Sequence, residues 1–308
     1  MEPLVSLRGV SKWFGRERVL RDVNLDVPQG TVTALLGRNG CGKSTTMRIA
    51  AGLVGRDSGT ARVLGRDAED LGPAELARLA YVTDGSGTPG TRRVADELAV
   101  VGRTRRGHWN DALARDLLER FEVPAAKTVG SLSKGLQTRL RLVLAVAAEP
   151  ELLLLDEPAL GLDLFGRRDL LEAVIDAAER PDRGVLIATH LVDDVERIAD
   201  RIAFVRDGAV AFEGTVERLR DAFRRTRFLV GPGGSLALEQ AAARMIGIRR
   251  VFAERDAPPD ERVVVYDGNE DLALELEHAS GTKRLESRRM TLREVYFEVL
   301  SGREEVTS

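Results

Sequence analysis

The stretch Gly37-Arg38-Asn39-Gly40-Cys41-Gly42-Lys43-Ser44, followed by Thr45, decides how the rest of the chain is read. It fits the pattern G-x-x-x-x-G-K-[ST] in full. Before it, Thr31 to Leu36 is nearly all apolar, as suits a strand buried on both faces. After it, Lys43 onward reads as a helix ending near Gly52. Strand, glycine loop and helix in that order make a cradle for phosphate. Glycines let backbone N–H groups turn inward to face phosphate oxygens. The helix adds the positive end of its dipole. Lys43 can reach β- and γ-phosphates, and the Ser44 hydroxyl can serve Mg2+. Cys41 lies inside the loop and has two readings: a thiol made reactive by the helix dipole, or a small residue that merely fits.

Outward from the loop, two more buried strands carry polar groups at their ends. Leu152 to Leu155 runs into Asp156 and Glu157, and Gly184 to Thr189 runs into His190. Asp156 is placed to hold Mg2+ through water, and Glu157 to polarise an attacking water as a general base. Buried strands alternating with helices imply an α/β chain with a mostly parallel sheet covered on both faces. Leu4 to Val10 and Val19 to Val27 alternate apolar and polar residues, as half-buried antiparallel strands do. From Gly72 to Ala148 the pattern is mainly helical, broken at Pro73, Gly90, Gly107 and Pro124, which marks a helical insertion. Ser133 caps a helix running to Ala148, with Leu136, Leu140, Val143, Leu144 and Ala147 along one face. Arg201 to Val205 and Ala209 to Phe212 flank Asp207-Gly208, a hairpin signal.

Near Arg220 the character changes. Gly231 to Gly234 and Ala257 to Asp260 read as loops. Around them lie a short strand near Phe228, a helix from Leu236 to Ile246, strands at Arg250 to Ala253 and Arg262 to Tyr266, and helices at Asp271 to His278 and Leu292 to Leu300. The expected organisation is a domain over 1–220, with a helical subdomain at about 72–150, and an α+β domain over 221–308 for which a ferredoxin-like fold is one option.

Composition bounds the function. The 308 residues are 43% hydrophobic, which excludes a disordered chain. The longest credible apolar run, Leu142 to Ala148, falls far short of the ~20 residues that cross a bilayer. Met1-Glu2-Pro3 lacks a basic flank and an apolar signal core, so export is not expected and a cytoplasmic protein is. One cysteine excludes a disulfide framework, and three histidines leave little for a histidine-rich metal centre. A net charge of -3 argues against bulk nucleic-acid binding, and no nucleic-acid partner is expected.

Taken together, Gly37 to Thr45, Leu132 to Leu136, Leu152 to Pro158, Gly161 to Asp163 and His190 resemble, in order, the motifs of the nucleotide-binding subunits of ATP-binding cassette (ABC) transporters. The resemblance spans roughly residues 4–220. It implies a P-loop NTPase core with an antiparallel β subdomain and a helical insertion. Leu132-Ser133-Lys134-Gly135 is similar to signature motifs of bacterial ABC-2-type exporter subunits, and Leu292 to Leu300 looks like the end of that group's C-terminal extension.

The resemblance also implies roles. Gly37 to Thr45 would hold ATP. Phe14, in Lys12-Trp13-Phe14-Gly15, would stack on adenine, with Trp13 as the competing aromatic. Ser133 and Gly135 would contact the γ-phosphate bound by another subunit. Asp163 would lie at the subunit interface, and His190 would hydrogen-bond the γ-phosphate. Catalysis would fall to Glu157, His190 and Lys43, and Mg2+ to Ser44 and Asp156. Three residues depart from the family pattern. Asp84 stands where Gln is usual; a carboxylate can bind Mg2+ directly but cannot donate as an amide does. Leu136 replaces a polar residue, and Leu164 follows Asp163 where Pro is frequent.

The implied partners are a second ATPase subunit, identical or different, and an integral-membrane subunit that meets the helical insertion near Asp84 to Leu98. The chain would sit on the cytoplasmic face of the membrane and power export by ATP-driven dimerisation. Two rival readings stand beside this one: a soluble ATPase of the same superfamily, and a low-turnover nucleotide-dependent regulator suggested by Asp84.

Overall fold

The computed structural model describes residues 2–83, 89–105, 107–231, 233–245, 248–252, 258–268 and 270–301. The chain divides into two compact units, Met1–Glu213 and Gly214–Ser308.

The first unit begins with β1 (Val5–Phe14), β2 (Glu17–Val27), β3 (Thr31–Gly37), α1 (Lys43–Ala50), β4 (Ser58–Val63) and β5 (Arg66–Asp67). Next come α2 (Pro73–Ala77), β6 (Leu79–Thr83), α3 (Val94–Thr104), α4 (Asp111–Arg120), α5 (Lys134–Val146) and β7 (Leu152–Asp156). Then follow α6 (Leu164–Ala178), β8 (Gly184–Thr189), α7 (Val192–Val195), β9 (Arg201–Arg206) and β10 (Ala209–Thr215). A six-stranded sheet has the order β10-β9-β3-β8-β7-β6. Within it β3 runs parallel to β8 and β9, and β7 runs parallel to β6 and β8. The apolar runs that predicted buried strands are buried: Ala34, Leu35, Leu36, Leu152 to Leu155 and Val185 to Ala188 are all nearly inaccessible.

A second, antiparallel sheet has the order β2-β1-β4-β5. The first two strands match the expected alternation. The β4 and β5 edge was not anticipated, because only Ala61 and Val63 of Ser58–Val63 turn inward and the rest of that strand is polar or glycine. The stretch over 72–150 is mainly helical, yet β6 within it returns to the edge of the central sheet beside β7.

Because parallel strands end together, β3, β7 and β8 deliver their following residues to one edge of the sheet. Leu36 lies opposite Thr189, and Asp156 opposite Ala188. Ligands of open α/β sheets bind outside these carboxyl ends.

The second unit contains α8 (Val216–Ala222), β11 (Phe223–Leu229), α9 (Gly234–Ala243), β12 (Ile248–Phe252), β13 (Glu261–Asp267), α10 (Asp271–Ser280), β14 (Lys283–Arg289) and α11 (Leu292–Ser301). The division precedes α8, whereas the change of sequence character was read near Arg220. The sheet order is β12-β13-β11-β14, with antiparallel neighbours. From β11 to β14 the element order is β-α-β-β-α-β, the ferredoxin-like pattern. Phe228, Val264 and Tyr266 pack with Leu238, Ala241, Ala273 and Leu276 of α9 and α10. Strand β14 was not foreseen. Its sequence, Lys283-Arg284-Leu285-Glu286-Ser287-Arg288-Arg289, has no apolar alternation. It is an edge strand, and charged side chains on an edge discourage unwanted strand pairing.

Candidate active site

The glycine loop runs from the end of β3 to the first turn of α1, as its sequence predicts. Gly40 and Gly42 take φ of 79° and 107°, which side-chain-bearing residues avoid. A Cβ on Gly42 would also meet Leu20 Cδ2 at 2.6 Å. Arg38, Asn39 and Gly40 are exposed at the tip, while Gly37, Gly42 and Lys43 are buried. Lys43 is only 5% exposed. Its Nζ donates to Gly37 O at 2.8 Å and Arg38 O at 3.3 Å. It also stands 3.3 Å from Glu157 Oε1. The lysine therefore spans from the loop to the end of β7.

Ser44 Oγ donates to Asp156 Oδ1 at 3.0 Å, and Tyr81 OH to Asp156 Oδ2 at 3.3 Å. Burial pushes the Asp156 carboxyl above its ordinary pKa, against the pull of the Ser44 and Tyr81 hydrogen bonds. A desolvated carboxylate beside a hydroxyl is a hard-oxygen pair that gains from a divalent cation. Among the described residues no group of three or more His, Cys, Asp or Glu could hold a metal. The Ser44 hydroxyl and Asp156 carboxylate are oxygen donors of the kind Mg2+ accepts, an ion that takes few protein ligands and fills the rest with phosphate and water.

Glu157 has φ of 50°, a left-handed conformation that costs a non-glycine residue on the order of 1 kcal/mol or more. Its backbone N–H donates to Ala188 O at 2.8 Å and holds it there. Its Oε2 meets His190 Nδ1 at 3.0 Å and accepts from Thr189 Oγ1 at 3.3 Å. Lys43, Ser44, Asp156, Glu157 and His190, which the sequence singled out separately, are thus one connected cluster. Tyr81 and Thr189 join it unpredicted. The signal for Tyr81 was a hydroxyl in the otherwise apolar run leading to Thr83.

Cys41 is half-buried in the loop, and burial raises its thiol pKa despite the nearby Lys43 charge. That favours the reading of a residue that fits over that of an activated thiol. Phe14, at the end of β1, is 49% exposed, and Trp13 is 38% exposed. The Arg18 guanidinium lies 4.8 Å from the Trp13 ring, and Lys12 Nζ lies 5.5 Å from the Phe14 ring. Asp84 falls outside the described residues.

A second cluster forms elsewhere on the same unit. Ser133 caps α5 by accepting from Leu136 N at 3.3 Å. Gly135 lies so close to Gly161 O that a Cβ there would stand 3.1 Å from it. Asp163 caps α6 through Gly166 N at 2.7 Å and accepts from Arg139 Nη2 at 3.0 Å. The Gly166 N–H first, and then the Arg139 charge, hold the Asp163 carboxyl below its usual pKa. Ser133, Gly135, Arg139, Gly161, Leu162 and Asp163 are among the residues lining an open pocket of about 450 Å³. Among the described residues, no side-chain hydrogen bond or ion pair links this pocket to the Lys43–Glu157 cluster.

A model of the ABC transporter family matches residues 20–160. The ABC transporter ATP-binding protein YtrB of Bacillus subtilis (strain 168) is 30% identical over 254 residues, covering 81% of this chain and 85% of that protein. The chain belongs to the ABC transporter ATP-binding proteins. The aliphatic sulfonates import ATP-binding protein SsuB of Mycobacterium avium (strain 104) is 36% identical over 211 residues, 68% of this chain and 81% of its own. A solved ATP-binding subunit of an ABC transporter, 27% identical, superposes with a TM-score of 0.64 over 70% of this chain and 92% of that one. As an ABC ATPase the chain binds and hydrolyses ATP in the service of a transporter. No described helix is long and apolar enough to cross a membrane.

Proposed function

We propose that this ABC subunit powers a membrane exporter, and that it works as a dimer in which each ATP lies between the glycine loop of one subunit and the Ser133–Asp163 pocket of the other. One observation carries the pairing: the described residues build two distinct half-sites, the Lys43–Glu157–His190 cluster and the Ser133–Asp163 pocket, with complementary chemistry. One has the lysine, carboxylates and histidine for phosphate chemistry. The other has an open helix N-terminus, which attracts anions, and a carboxylate, Asp163, already held by Gly166 N and Arg139.

In this reading Lys43 moves its ammonium from the loop carbonyls to β- and γ-phosphate oxygens. Phe14 stacks on adenine. Ser44 and Asp156 hold Mg2+, which neutralises phosphate charge when bound. Glu157 orients the attacking water and accepts its proton. His190, fixed through Nδ1 on Glu157, keeps Nε2 for a γ-phosphate oxygen. Ser133 and Gly135 of the second subunit meet the same phosphate with backbone and hydroxyl donors, and Asp163 faces the partner. Loss of the γ-phosphate removes the charge-assisted contacts that join the subunits, so the pair opens.

Export is favoured by the Leu132-Ser133-Lys134-Gly135 signature and by the C-terminal extension. The membrane subunit would dock near α3, placing this chain on the cytoplasmic face.

Complementation tests the pairing. Glu157→Gln disables the site that contains its own loop. Gly135→Asp puts a carboxylate where the partner's phosphate would sit. Each variant alone is expected to be inactive. Mixed, they leave one intact site in every heterodimer, and turnover returns to roughly a quarter of the wild type if subunits exchange freely. A mixture that stays inactive would mean that each chain completes its own site.

A further inference from the structure

Arg139 occupies an unusual place for an arginine. It lies on α5 in the apolar stripe with Leu136, Leu140 and Val143, and is only 9% exposed. Its guanidinium divides its donors between two other elements. Nη1 donates to Phe121 O at 3.1 Å, at the C-terminal cap of α4. Nη2 donates to Asp163 Oδ1 at 3.0 Å, at the N-terminal cap of α6. Glu122 Oε2 stands at 4.0 Å.

The backbone of α6 makes room for it. Gly166 lies in the first turn of that helix, where alanine is ordinarily the better residue. A Cβ on Gly166 would stand 2.8 Å from Arg139 Nη2, 3.0 Å from its Nε and 3.0 Å from Asp163 Oδ1. The glycine is the opening through which the guanidinium reaches the carboxylate. The planar fork points its donors in separate fixed directions, so Nη1 and Nη2 reach partners on two different elements at once, whereas a lysine ammonium offers its donors from a single atom.

We propose that Arg139 is a positioning residue that ties the Ser133–Gly135 turn to the Asp163 turn, so that the half-site lent to the partner moves as one rigid piece. This inference rests on the paired-site reading above. Ser133 and Gly135 begin α5, and Asp163 begins α6; nothing else with a buried charge spans the two starts among the described side-chain bonds. Without the tie, the donors for γ-phosphate and the interface aspartate shift independently, and the partner's ATP loses its fixed geometry. Arg139 touches neither nucleotide nor water in this account. Its effect should therefore appear in the partner's site and leave its own subunit's loop untouched.

Two variants displace the guanidinium by opposite means. Arg139→Met keeps the aliphatic stem and removes every donor. Gly166→Ala leaves Arg139 intact and pushes its flexible end off Asp163, while favouring the helix. Both are made in the full-length chain, with Arg139→Lys as the partial rescue. ATP turnover is expected to fall about tenfold or more in each homodimer, the scale of a lost charged hydrogen bond. Nucleotide affinity of the isolated subunit should stay within about twofold, since its own loop is unchanged. Mixing either variant with Glu157→Gln should restore turnover, and mixing it with Gly135→Asp should not. Both variants are scored per folded subunit, with the folded fraction read from a melting curve, because separating a buried arginine from its carboxylate also costs stability; a purely structural loss would not give rescue by one partner and not the other.

Wild-type turnover in both variants would overturn the inference. So would rescue by Gly135→Asp, which would put the damage on the variant's own loop. Folded variants rescued by neither would overturn it equally. Failure of Glu157→Gln and Gly135→Asp to restore each other overturns the pairing itself, and is read before any Arg139 variant is scored.

Discussion

The Lys43 ammonium faces Glu157 Oε1 at 3.3 Å, linking the phosphate loop to the end of β7. The same carboxylate meets His190 at its other oxygen. Glu157 therefore has two duties in the proposed mechanism: a neighbour to the phosphate-binding cation and a base for water. Replacing it with Gln removes the base and the negative charge while keeping the shape. Turnover should fall by about 10² to 10⁴. Nucleotide affinity should hold or rise, because Lys43 loses an anionic competitor for phosphate. Phosphate release and a nucleotide titration on the same preparation measure both. Near-normal turnover in Glu157→Gln would remove Glu157 from the chemistry.

The two aromatics at the end of β1 make separable predictions. Arg18 already lies over the Trp13 ring at 4.8 Å. If Phe14 supplies the adenine platform, Phe14→Ala should weaken ATP binding by about five- to tenfold, the scale of a lost aromatic stack. Trp13→Ala should change it less than about twofold. The opposite ranking would give the role to Trp13. Binding of ATP and GTP to both variants measures the choice.

Burial raises the Cys41 thiol pKa above its usual value, so little thiolate exists near neutrality. Alkylation should be slow at pH 7, accelerate as pH climbs past 9, and slow again when ATP is added. Cys41→Ser should retain ATPase activity. Fast modification at pH 7 would contradict the burial argument.

The second unit carries its own pH signature. Glu294 accepts from Arg288 Nη1 at 2.9 Å and Nη2 at 2.6 Å, and from Thr291 N at 2.9 Å. The Arg288 hydrogen bonds first, with help from Thr291, lower its pKa from 4.5 to about 2. A depressed carboxylate pKa stabilises the fold above the unfolded value and loses that contribution as pH falls toward the folded one. The contribution should be full above about pH 5 and gone near pH 2. Solvent screening of this partly exposed pair reduces its worth, so Glu294→Gln should cost about 1 kcal/mol at pH 7 and remove this part of the acid sensitivity. Denaturant melts of the full chain between pH 7 and pH 3 would show it; an unchanged pH profile would contradict it.

The phosphate loop and the acids after β7 were legible because their chemistry demands residue types at short, fixed spacings. Gly37 to Ser44 needs its glycines for backbone reasons, and Asp156 needs a buried strand to carry it. The apolar runs indicated a mostly parallel sheet, but the register that sets Asp156 beside Ala188 comes from strand pairing that a run of apolar residues does not encode. Other features depend on long-range geometry. Arg139 and Asp163 are 24 residues apart. Periodicity shows only that Arg139 falls on the Leu136 stripe, where a charge looks misplaced until its carboxylate is seen. Tyr81 and Asp156 are 75 residues apart and meet only because β6 pairs with β7. Strand β14 is held by its pairing with β11, and its side chains carry no trace of burial on one face.

Sedimentation of the full-length Glu157→Gln protein with Mg2+ and either ATP or ADP tests the central claim most directly. The account predicts that ATP doubles the mass and is retained at two molecules per particle, while ADP leaves single chains. A nucleotide-saturated protein that keeps the mass of one chain with ATP would contradict it.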